Sequence, residues 1–518
     1  MPLPQNDITW PPTDPVVQTA LADWDAWYSA DPDRLGERYT GRWGRDVPET
    51  HPSQYRGGMV GRISRWFWGT PTHHGHKRTK LHIPLAGDIA RTSSSLLFSE
   101  PPALTSPHTA TQARLDALVK DGLHPTLLEA AEVCAALGGA YLRVVWDEDV
   151  RDRPWIESVA ADAAVPEFRY GRLVAVTFWT VVEQDNREVW RHLERHEKGR
   201  ILHGLYRGTV ATLGTRLSLA DHPTTEPLAP LVTEDWIDTG APDHLTAAYI
   251  PNVRPAKAWR HIPSSAHWGQ SDFQGVEPIF DALDETWTSW MRDIRIGKGR
   301  IIVPNTMLRD HGPGKGATWD EEQEVYSGLE MLEDPQQSQL TVTQFAIRVQ
   351  EHKETCSALV EQAARQSGYS AATFGVTGDG SAVTATEIRA RERRSMSTRA
   401  RKTLYWRPAV ADIVTALLAV EAGPLFGVSG LDLEPPRVEF EDSISESPKE
   451  IAETVGLLAA AEAASLDTLV RMQHPDWRDE QVRAEVDLIQ QESDLKAQGS
   501  SFSQGDGALP DESQQLTA

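Results

Sequence analysis

The stretch VEPIFDALDETWTSWMRDIRIG, residues 276–297, decides the fold of this chain. It is followed by Lys298 and Gly299, so that a cation suited to the negative end of a helix stands between two glycines. Apolar residues recur through five turns at the 3.6-residue period of one helix face. The pattern predicts an amphipathic helix over residues 276–298. Its apolar positions are Val276, Ile279, Phe280, Leu283, Trp287, Trp290, Met291 and Ile294.

A second amphipathic helix is predicted over residues 346–368. Each of the two helices has a single apolar face, and the other is its nearest partner in sequence, so we expect them to lie antiparallel as a stalk. At about 1.5 Å per residue, each spans on the order of 30 Å. Between them, 299–345 combines a strand-like run with glycines and an acidic turn, which predicts a small α/β lobe. The apolar side of the second helix carries Val349, His352, Cys356, Leu359, Val360 and Ala363.

A loop rich in glycine and small polar residues is predicted at 369–384, before a long basic helix. Thr384 and Glu387 have the spacing of a capping box, so the helix should begin at about Ala385. We expect Pro408 to kink or end this helix before an apolar helix continues from Ala409. The cations of the basic helix are Arg389, Arg391, Arg393, Arg394, Arg399, Arg401, Lys402 and Arg407.

The rest of the chain indicates an α+β fold with a helical C-terminal region. Strands near 141–146 and 173–182 and a hairpin at 187–207 form an antiparallel sheet beside helices. The composition of residues 496–518 leaves almost nothing to bury, so this tail should be disordered. Helices are predicted near residues 16–29, 85–98, 109–120, 125–137, 448–464, 466–472 and 479–492.

Composition narrows the class of protein. The 518 residues are 40% apolar and 24% charged, as in soluble globular proteins, and the net charge of −24 argues against a general nucleic-acid coat. The negative net charge is compatible with a protein surface along which DNA slides without binding tightly. The N-terminus lacks the pattern of a signal peptide, and the longest apolar stretch, 409–420, contains Asp412 and is too short to span a bilayer. We therefore expect no membrane association, and a cytoplasmic site unless the chain leaves within a larger particle.

Cysteine and tryptophan usage add two expectations. The only cysteines, Cys134 and Cys356, each lie inside a helical apolar pattern, so we expect buried thiols in a reducing compartment rather than a disulfide. The 18 tryptophans are many, and large rigid side chains are common where subunits meet.

The search for an enzyme site finds weak signals. Residues 312–318, GPGKGAT, resemble a phosphate loop, but Gly316 follows Lys315 where the Mg²⁺-binding hydroxyl should stand. Glycines at 375, 378 and 380 precede a helix without the dinucleotide-binding spacing. Three of the histidines at 73, 74, 76 and 82 lie in an irregular segment without cysteine, and we expect all four to be solvated rather than bound to metal. No catalytic residue, metal or cofactor is predicted.

Several short motifs, in this order, resemble the portal (head-to-tail connector) proteins of tailed bacteriophages, especially the siphophage type. No single motif is diagnostic, but together they extend from about residue 80 to 495. They are IPLAGDIA (83–90), LFSEPP (97–102), GGAYLRV (138–144), DALDETW (281–287), GRIIVP (299–304), TFG (373–375) and TATEI (384–388).

The resemblance implies a portal fold with named parts. Residues 1–80 would be an N-terminal arm and the start of the wing, with 81–275 the α+β wing. The stem would be 276–298 and 346–368, the clip 299–345, and the tunnel loop 369–384. The basic helix at 385–407 and the return to the wing would complete 385–435, followed by the crown at 436–495 and the disordered tail at 496–518.

The resemblance also implies a function and partners. The chain would form a dodecameric ring, a DNA channel at one capsid vertex of the virion, for genome packaging, DNA ejection and tail attachment. Assembly would take place in the cytoplasm of the bacterial host. The partners would be double-stranded DNA without sequence specificity, the terminase large subunit, the head-tail adaptor, and the major capsid or scaffolding protein. The ATPase activity would belong to the terminase, so the chain itself is not expected to be an enzyme.

Three sets of site residues follow in addition to the basic helix. Tunnel-loop residues near DNA are Tyr369, Ser370, Thr373, Phe374, Gly375, Thr377, Gly378, Asp379, Gly380 and Ser381. Charges of the stem channel are Asp281, Asp284, Glu285, Arg292, Arg295, Lys298 and Arg300. The clip surface for partners is Arg309, Asp310, Lys315, Asp320, Glu321 and Glu322.

Alternatives remain open from the sequence. The basic helix either contacts DNA or the packaging motor, or pairs with the acidic excess of a neighbouring copy, and the second interpretation is favoured because so acidic a ring needs charge neutralisation to assemble. The other function classes are a nucleotide-dependent enzyme with a mobile glycine-rich loop, which would need Lys315 or Gly380 for nucleotide binding, and a ring or scaffold protein unrelated to phages.

Overall fold

The computed structural model divides the chain into two compact units, Met1–Glu441 and Asp442–Ala518, which are described separately. The chain is of the α+β class: the described residues of the first unit form helices and strands, and those of the second form helices. The structure describes residues 3–5, 7–32, 34–36, 81–185, 187–232, 235–296, 300–302, 309–310, 317–318, 341–343, 347–375, 385–440, 448–474, 477 and 479–502.

The helices of the first unit begin and end close to the positions that the periodicity predicts. Helix α4, for example, ends at Gly138, whose φ of +81° favours glycine. A Cβ at this position would lie 2.9 Å from the backbone nitrogen of Ser271, so only glycine fits both the turn and the close approach. Where the structure describes the first unit, its α-helices are α1 (Pro15–Ser29), α2 (Leu85–Phe98), α3 (Thr109–Leu118), α4 (His124–Leu137), α5 (Glu277–Ile296), α6 (Val349–Ser367) and α7 (Ala385–Ala422).

The largest sheet is antiparallel and has the order β4-β5-β6-β7-β8, with β9 also paired to β7. The predicted hairpin is present, since Glu197 of β6 pairs with Arg200 of β7 across Lys198 and Gly199. Gly199 has a φ of +77°, which closes this two-residue turn. Its strands are β4 (Ala164–Arg169), β5 (Arg172–Gln184), β6 (Val189–Glu197), β7 (Arg200–Gly208), β8 (Thr215–Leu217) and β9 (Trp236–Asp238).

A second antiparallel sheet has the order β10-β2-β3 and carries the main hydrophobic core. Its strands are β2 (Gly139–Val145), β3 (Trp155–Ala160) and β10 (Ala247–Pro251). Leu142 of β2, Leu127 of α4 and Leu417 of α7 are fully buried together in this core. Each such side chain contributes about 1.5–3 kcal/mol through burial. A two-stranded sheet of β1 (Ala103–Thr105) and β15 (Arg437–Glu439) lies beside the same core.

Helices α5 and α6 pack against each other, as their apolar faces predict. Phe280 and Leu283 of α5 and Cys356 and Ala363 of α6 belong to one buried cluster. Between these helices, β11 (Arg300–Ile302) pairs with β14 (Thr341–Thr343), and β12 (Arg309–Asp310) pairs with β13 (Ala317–Thr318), all antiparallel.

Helix α7 corrects the prediction for Pro408. It runs without interruption for 38 residues and includes Pro408, where we expected a kink or an end. Proline removes one helical hydrogen bond and leaves the carbonyl of Leu404 without its usual donor. Leu404 and Pro408 both lie on the exposed side of the helix, which solvent can reach. The neighbouring Trp406 and Val410 are buried in the core and hold the helix on either side.

Part of α7, Glu392–Ala422, is long and apolar enough to cross a membrane, and it is the one such helix within the described residues. Its apolar window is 67% buried inside the protein, however, which is typical of the core helix of a globular domain. We expected the apolar stretch to be too short to span a bilayer because we considered residues 409–420 alone. The helix that contains this stretch is longer.

The described residues of the second unit form three helices, α8 (Pro448–Ala460), α9 (Leu466–Gln473) and α10 (Asp479–Phe502). Ser465 caps α9, because its side chain accepts a hydrogen bond from the backbone nitrogen of Thr468. Helix α10 corrects the predicted start of the disordered tail, since it continues through 496–502. Residues 503–518 of that tail lie outside the described part of the chain.

Candidate functional site

The predicted stem residue Asp284 is buried and does not line a channel. Its Oδ1 accepts a hydrogen bond of 2.9 Å from the backbone nitrogen of Ile83, and its Oδ2 lies 2.8 Å from Nδ1 of His82. Two predictions are therefore wrong, that Asp284 faces a channel and that His82 is solvated. The physical reason is the same for both residues. The segment of residues 82–83, about 200 positions earlier in sequence, lies over Asp284 on the polar side of α5.

The other predicted stem charges that the structure describes remain accessible. Glu285 and Arg292 are exposed on α5, and Asp281 is half-buried. The side chains of Arg295, Lys298 and Arg300 lie outside the described residues, as do those of the predicted clip surface at 309–322.

Asp293 joins α5 to the start of α6. Its Oδ2 lies 3.0 Å from Nε2 of His352 and 3.0 Å from a guanidinium nitrogen of Arg348. These bonds, the one from His352 first, hold the pKa of the Asp293 carboxyl below its usual value. The ring of Trp290 stacks on that of His352 at 5.9 Å, so aromatic and ionic contacts occur at the same junction.

Tyr369, the first residue of the predicted tunnel loop, is buried in a polar network. Its Oη donates to Oδ2 of Asp272 at 2.7 Å, and Nζ of Lys402 donates to the Tyr369 Oη at 2.8 Å and to Oγ of Ser93 at 2.7 Å. Burial, followed by the Asp272 charge, raises the pKa of Tyr369 well above its ordinary value. The assignments of Tyr369 to a DNA-facing loop and of Lys402 to a subunit or DNA surface are therefore wrong.

The next loop residues are bound to the same long helix. The backbone nitrogen of Ser370 donates to Oγ of Ser395 at 2.9 Å, and Oγ1 of Thr373 lies 2.9 Å from that same oxygen. Thr398 donates to the carbonyl of Gly368 at 2.5 Å. The start of the predicted tunnel loop thus lies against one face of α7. Phe374 and Gly375 complete the described part, and Thr377, Gly378, Asp379, Gly380 and Ser381 lie outside it.

Two arginines of the basic helix bind the ends of other helices in the same chain. Arg394 donates to the carbonyl of Arg365 at 2.7 Å, and Arg399 donates to that of Leu96 at 2.6 Å. Both carbonyls lie in the last turn of their helices, where the dipole favours a cation. These contacts give Arg394 and Arg399 a structural role that neither predicted interpretation included.

The remaining cations of the basic helix differ in exposure. Arg393, Arg401 and Arg407 are exposed, and Arg401 also donates to the carbonyl of Arg254. The side chains of Arg389 and Arg391 lie outside the described residues.

A buried ion pair between α3 and the end of α7 has no signal in the sequence pattern. Nε of Arg114 lies 2.8 Å from Oε1 of Glu421, and another guanidinium nitrogen of Arg114 lies 2.6 Å from the same oxygen. Both side chains are almost fully buried. Their positions are 307 residues apart, so no local pattern could have paired them.

A histidine pair lies within the large sheet. Nε2 of His192 lies 3.2 Å from Nδ1 of His203 on the neighbouring strand, and the two rings are stacked. Burial lowers the pKa of both, that of His203 to about 4. Glu194 accepts from Arg143 at 2.9 Å beside them. Among the described residues, no group of three or more His, Cys, Asp or Glu side chains is placed to hold a metal ion.

Comparison with known protein families identifies the proteins that this chain resembles. Residues 264–499 match the family model described as phage portal protein, SPP1 Gp6-like. The predicted resemblance to phage portal proteins is confirmed. The match begins just before α5, includes α6 and α7, and ends within α10 of the second unit. These are the elements that carry the polar network of Lys402 and the junction at Asp293.

Solved structures also match the chain, and one of them covers most of it. It is titled "Neck of native GTA particle computed with C12 symmetry" and has 14% sequence identity, covering 80% of this chain and 99% of that one, with a TM-score of 0.41. None of the curated proteins matches.

Proposed function

We propose that this chain is a portal protein, which forms the ring-shaped DNA channel at one vertex of a phage capsid. The single observation that carries the proposal is the family match over 264–499. That region contains the packed helix pair α5–α6, the loop after Tyr369 and the long helix α7, the parts predicted to form stem, tunnel loop and supporting helix. The channel serves genome packaging, DNA ejection and tail attachment.

The ring assembles from identical subunits through head-to-tail contacts, which close when the rotation per subunit divides a full turn. Twelve copies form it. Each copy carries a net charge of −24. Because DNA binds tightly to basic walls through counterion release, a mostly acidic channel lets it slide. Glu285 and Arg292, which are exposed on the polar side of α5, contribute to charge bands of alternating sign around the stem.

The contact with DNA lies beyond the first residues of the tunnel loop. Since Tyr369 is buried and Ser370 is bound to Ser395, the residues that approach DNA are Thr377, Gly378, Asp379, Gly380 and Ser381. Residues 299–345 act as the clip that meets the terminase large subunit and later the head-tail adaptor. The major capsid or scaffolding protein surrounds the ring at the vertex, in a particle assembled in the cytoplasm of the bacterial host.

Immunogold electron microscopy of the particles tests this proposal. Antibody raised against the purified chain should label a single vertex of each tailless capsid. Label at every vertex, along the tail only, or on no particle would contradict a portal role. The nucleotide-dependent enzyme is tested separately, because it requires nucleotide binding that is lost in Lys315→Ala or Gly380→Ala.

A further inference from the structure

A β-hairpin of the large sheet ends in a fully exposed tyrosine between two arginines. Arg169 of β4 pairs with Arg172 of β5 across Tyr170 and Gly171. The φ of Tyr170 is +50° and that of Gly171 is +79°, a turn that suits Asn-Gly far better than a bulky side chain at its first position. Tyr170 is nevertheless 100% exposed, so no contact within the described residues accounts for a large side chain at this turn.

The loop that lies against this hairpin is basic. Residues 252–271 contain Arg254, Lys257 and Arg260 and neither Asp nor Glu. The guanidinium of Arg254 lies over the Phe168 ring of β4 at 5.9 Å, which joins the loop to the hairpin. Lys257 and Arg260 are exposed. The hairpin and the loop together present a surface that we call the basic face, formed by Arg169, Tyr170, Arg172, Lys257 and Arg260.

The cations of the basic face are not neutralised within the chain. In the part of the chain that the structure describes, none of the four lies within 4.0 Å of a carboxylate oxygen. The Asp412 carboxyl of α7 interacts electrostatically with Arg172 but forms no salt bridge with it. Tyrosine and arginine are among the side chains that most often dominate the binding energy of an interface. The basic face therefore fits an acidic partner with an apolar residue at its centre.

An exposed turn of this protein has that chemistry. Residues 147–153, DEDVRDR, connect β2 to β3 and carry four carboxylates against two arginines, and we call them the acidic turn. All seven residues are exposed, and Val150 at the centre is 63% exposed. None of the four carboxylates forms a salt bridge with another described side chain. Arg151 is held against the body of the protein, because its guanidinium lies over the Trp155 ring at 5.7 Å.

The acidic turn and the basic face are separate surfaces of one copy. The acidic turn lies beside the end of α7, where the Trp146 ring contacts that of Phe426 at 5.1 Å. Because Tyr170 is fully exposed, the acidic turn of the same copy does not cover it. A contact between two different surfaces is heterologous and repeats from one copy to the next, as a closed ring requires.

We propose that the basic face of one copy binds the acidic turn of its neighbour. In this contact Tyr170 packs against Val150, and the arginines on either side of Tyr170 pair with the carboxylates of the acidic turn. The partner of the basic face is thus a second copy of this chain. The inference rests on the proposed ring and identifies a contact between its subunits.

Cysteine crosslinking of the full chain tests the contact. Both native cysteines are buried, so a short bis-maleimide acts on newly introduced thiols. The double variant Val150→Cys/Tyr170→Cys should give a ladder of covalent oligomers on a denaturing gel, because each copy is then joined to both neighbours. The control is Val150→Cys/Val210→Cys, in which the second thiol is at a 72% exposed residue near the opposite end of the large sheet. It should give no ladder.

The outcomes separate this contact from the portal proposal. No ladder from Val150→Cys/Tyr170→Cys, or equal ladders from that variant and the control, would overturn the contact. A ring of about twelve copies without the ladder would overturn the contact and leave the portal proposal standing. A ladder from an assembly that does not close into a ring would support the contact and contradict the portal proposal.

Charge reversal in the double-cysteine variant tests the recognition. Arg169→Glu/Arg172→Glu should lower the yield of the ladder about tenfold, since like charges then face each other. Adding Asp147→Lys/Asp149→Lys should restore most of the yield, because the pairing is then inverted. An unchanged yield in the first variant, or a loss that the second pair does not reverse, would overturn the proposal.

Two further measurements complete the test. Arg91→Glu/Arg187→Glu changes the net charge equally at exposed positions outside the basic face and should leave the yield of the ladder unchanged. Circular dichroism checks that all charge variants fold alike. Binding of a DNA duplex that Arg169→Glu/Arg172→Glu abolishes while the ladder persists would overturn the proposal and assign the basic face to nucleic acid.

Discussion

Nζ of Lys402 lies 2.6 Å from Oδ2 of Asp272, and both side chains are only 2% exposed. The pair joins the middle of α7 to the segment just before α5, and Tyr369 and Ser93 add the start of the loop and α2 to the same point. A buried pair of this kind contributes modestly as a whole, but the loss of one partner leaves an uncompensated charge in the core. Four parts of the first unit therefore depend on one ion pair.

Asp272→Asn should destabilise the protein by about 3–5 kcal/mol, because it leaves the Lys402 ammonium buried without a counter-charge. The measurement is the denaturant midpoint of unfolding, followed by tryptophan fluorescence. The double variant Asp272→Leu/Lys402→Met, which removes both charges, should recover much of the loss. Arg393→Met, which removes an exposed cation of the same helix, serves as control. A single variant as stable as that control would contradict a role for the pair.

Ser395→Ala should release the start of the loop from α7. The backbone amide of Ser370 then loses its acceptor, a bond worth about 1 kcal/mol, and its hydrogen exchange should become roughly fivefold faster. Exchange measured by mass spectrometry over the peptide that contains residues 368–375 gives the result. Ser397→Ala, at an exposed position on the same helix, should not change it. Equal exchange in the two variants would show that Ser395 does not fix the loop.

Asp293→Asn should weaken the junction between α5 and α6. Because Asp293 and Arg348 are partly exposed, the loss should be only about 0.5–1 kcal/mol. The thermal midpoint should fall at low ionic strength, and the difference from the native protein should shrink in 1 M NaCl, where charges are screened. Glu285→Gln, on the exposed side of the same helix, is the control. A loss that does not depend on salt would argue against an ionic contribution.

His203 should make the protein less stable in mild acid. Its pKa is lowered from 6.5 to about 4 in the folded state, so the unfolded chain binds more protons between these values. The contribution of the neutral His203 to the free energy of unfolding is fully present above about pH 6.5 and is lost as the pH falls toward 4. It amounts to on the order of 2 kcal/mol. His203→Gln, which does not titrate, should reduce the slope of stability against pH in that window. An unchanged slope would assign the acid sensitivity to other groups.

Local patterns predicted the elements well, because their signals lie within a few residues. The period of the apolar residues gives α2 its observed bounds at Leu85 and Phe98, and the capping box gives the start of α7 at Ala385. The glycine at position 199 identifies the turn of the β6–β7 hairpin. Capping, periodicity and turn chemistry are all properties of neighbouring residues.

The burial of charged side chains could not be predicted in the same way. The helical pattern places Asp284 and Lys402 on polar helix faces. Asp284 binds Ile83, which is 201 residues away in sequence, and Lys402 binds Asp272, which is 130 residues away. Without those distant segments, each charge is assigned to solvent or to a partner molecule. The assignments of Asp284, Tyr369 and Lys402 to a channel or a partner surface were therefore wrong, although helices α5 and α7 begin close to the predicted residues.

The mass of the purified particle, measured by native mass spectrometry and combined with class averages from electron micrographs, tests the central claim most directly. A portal protein should give a ring of about twelve copies of the 57.4 kDa chain around a central hole, unaffected by added nucleotide. A monomer or dimer that binds nucleotide would contradict the account and favour an enzyme that uses the glycine-rich segment around Lys315.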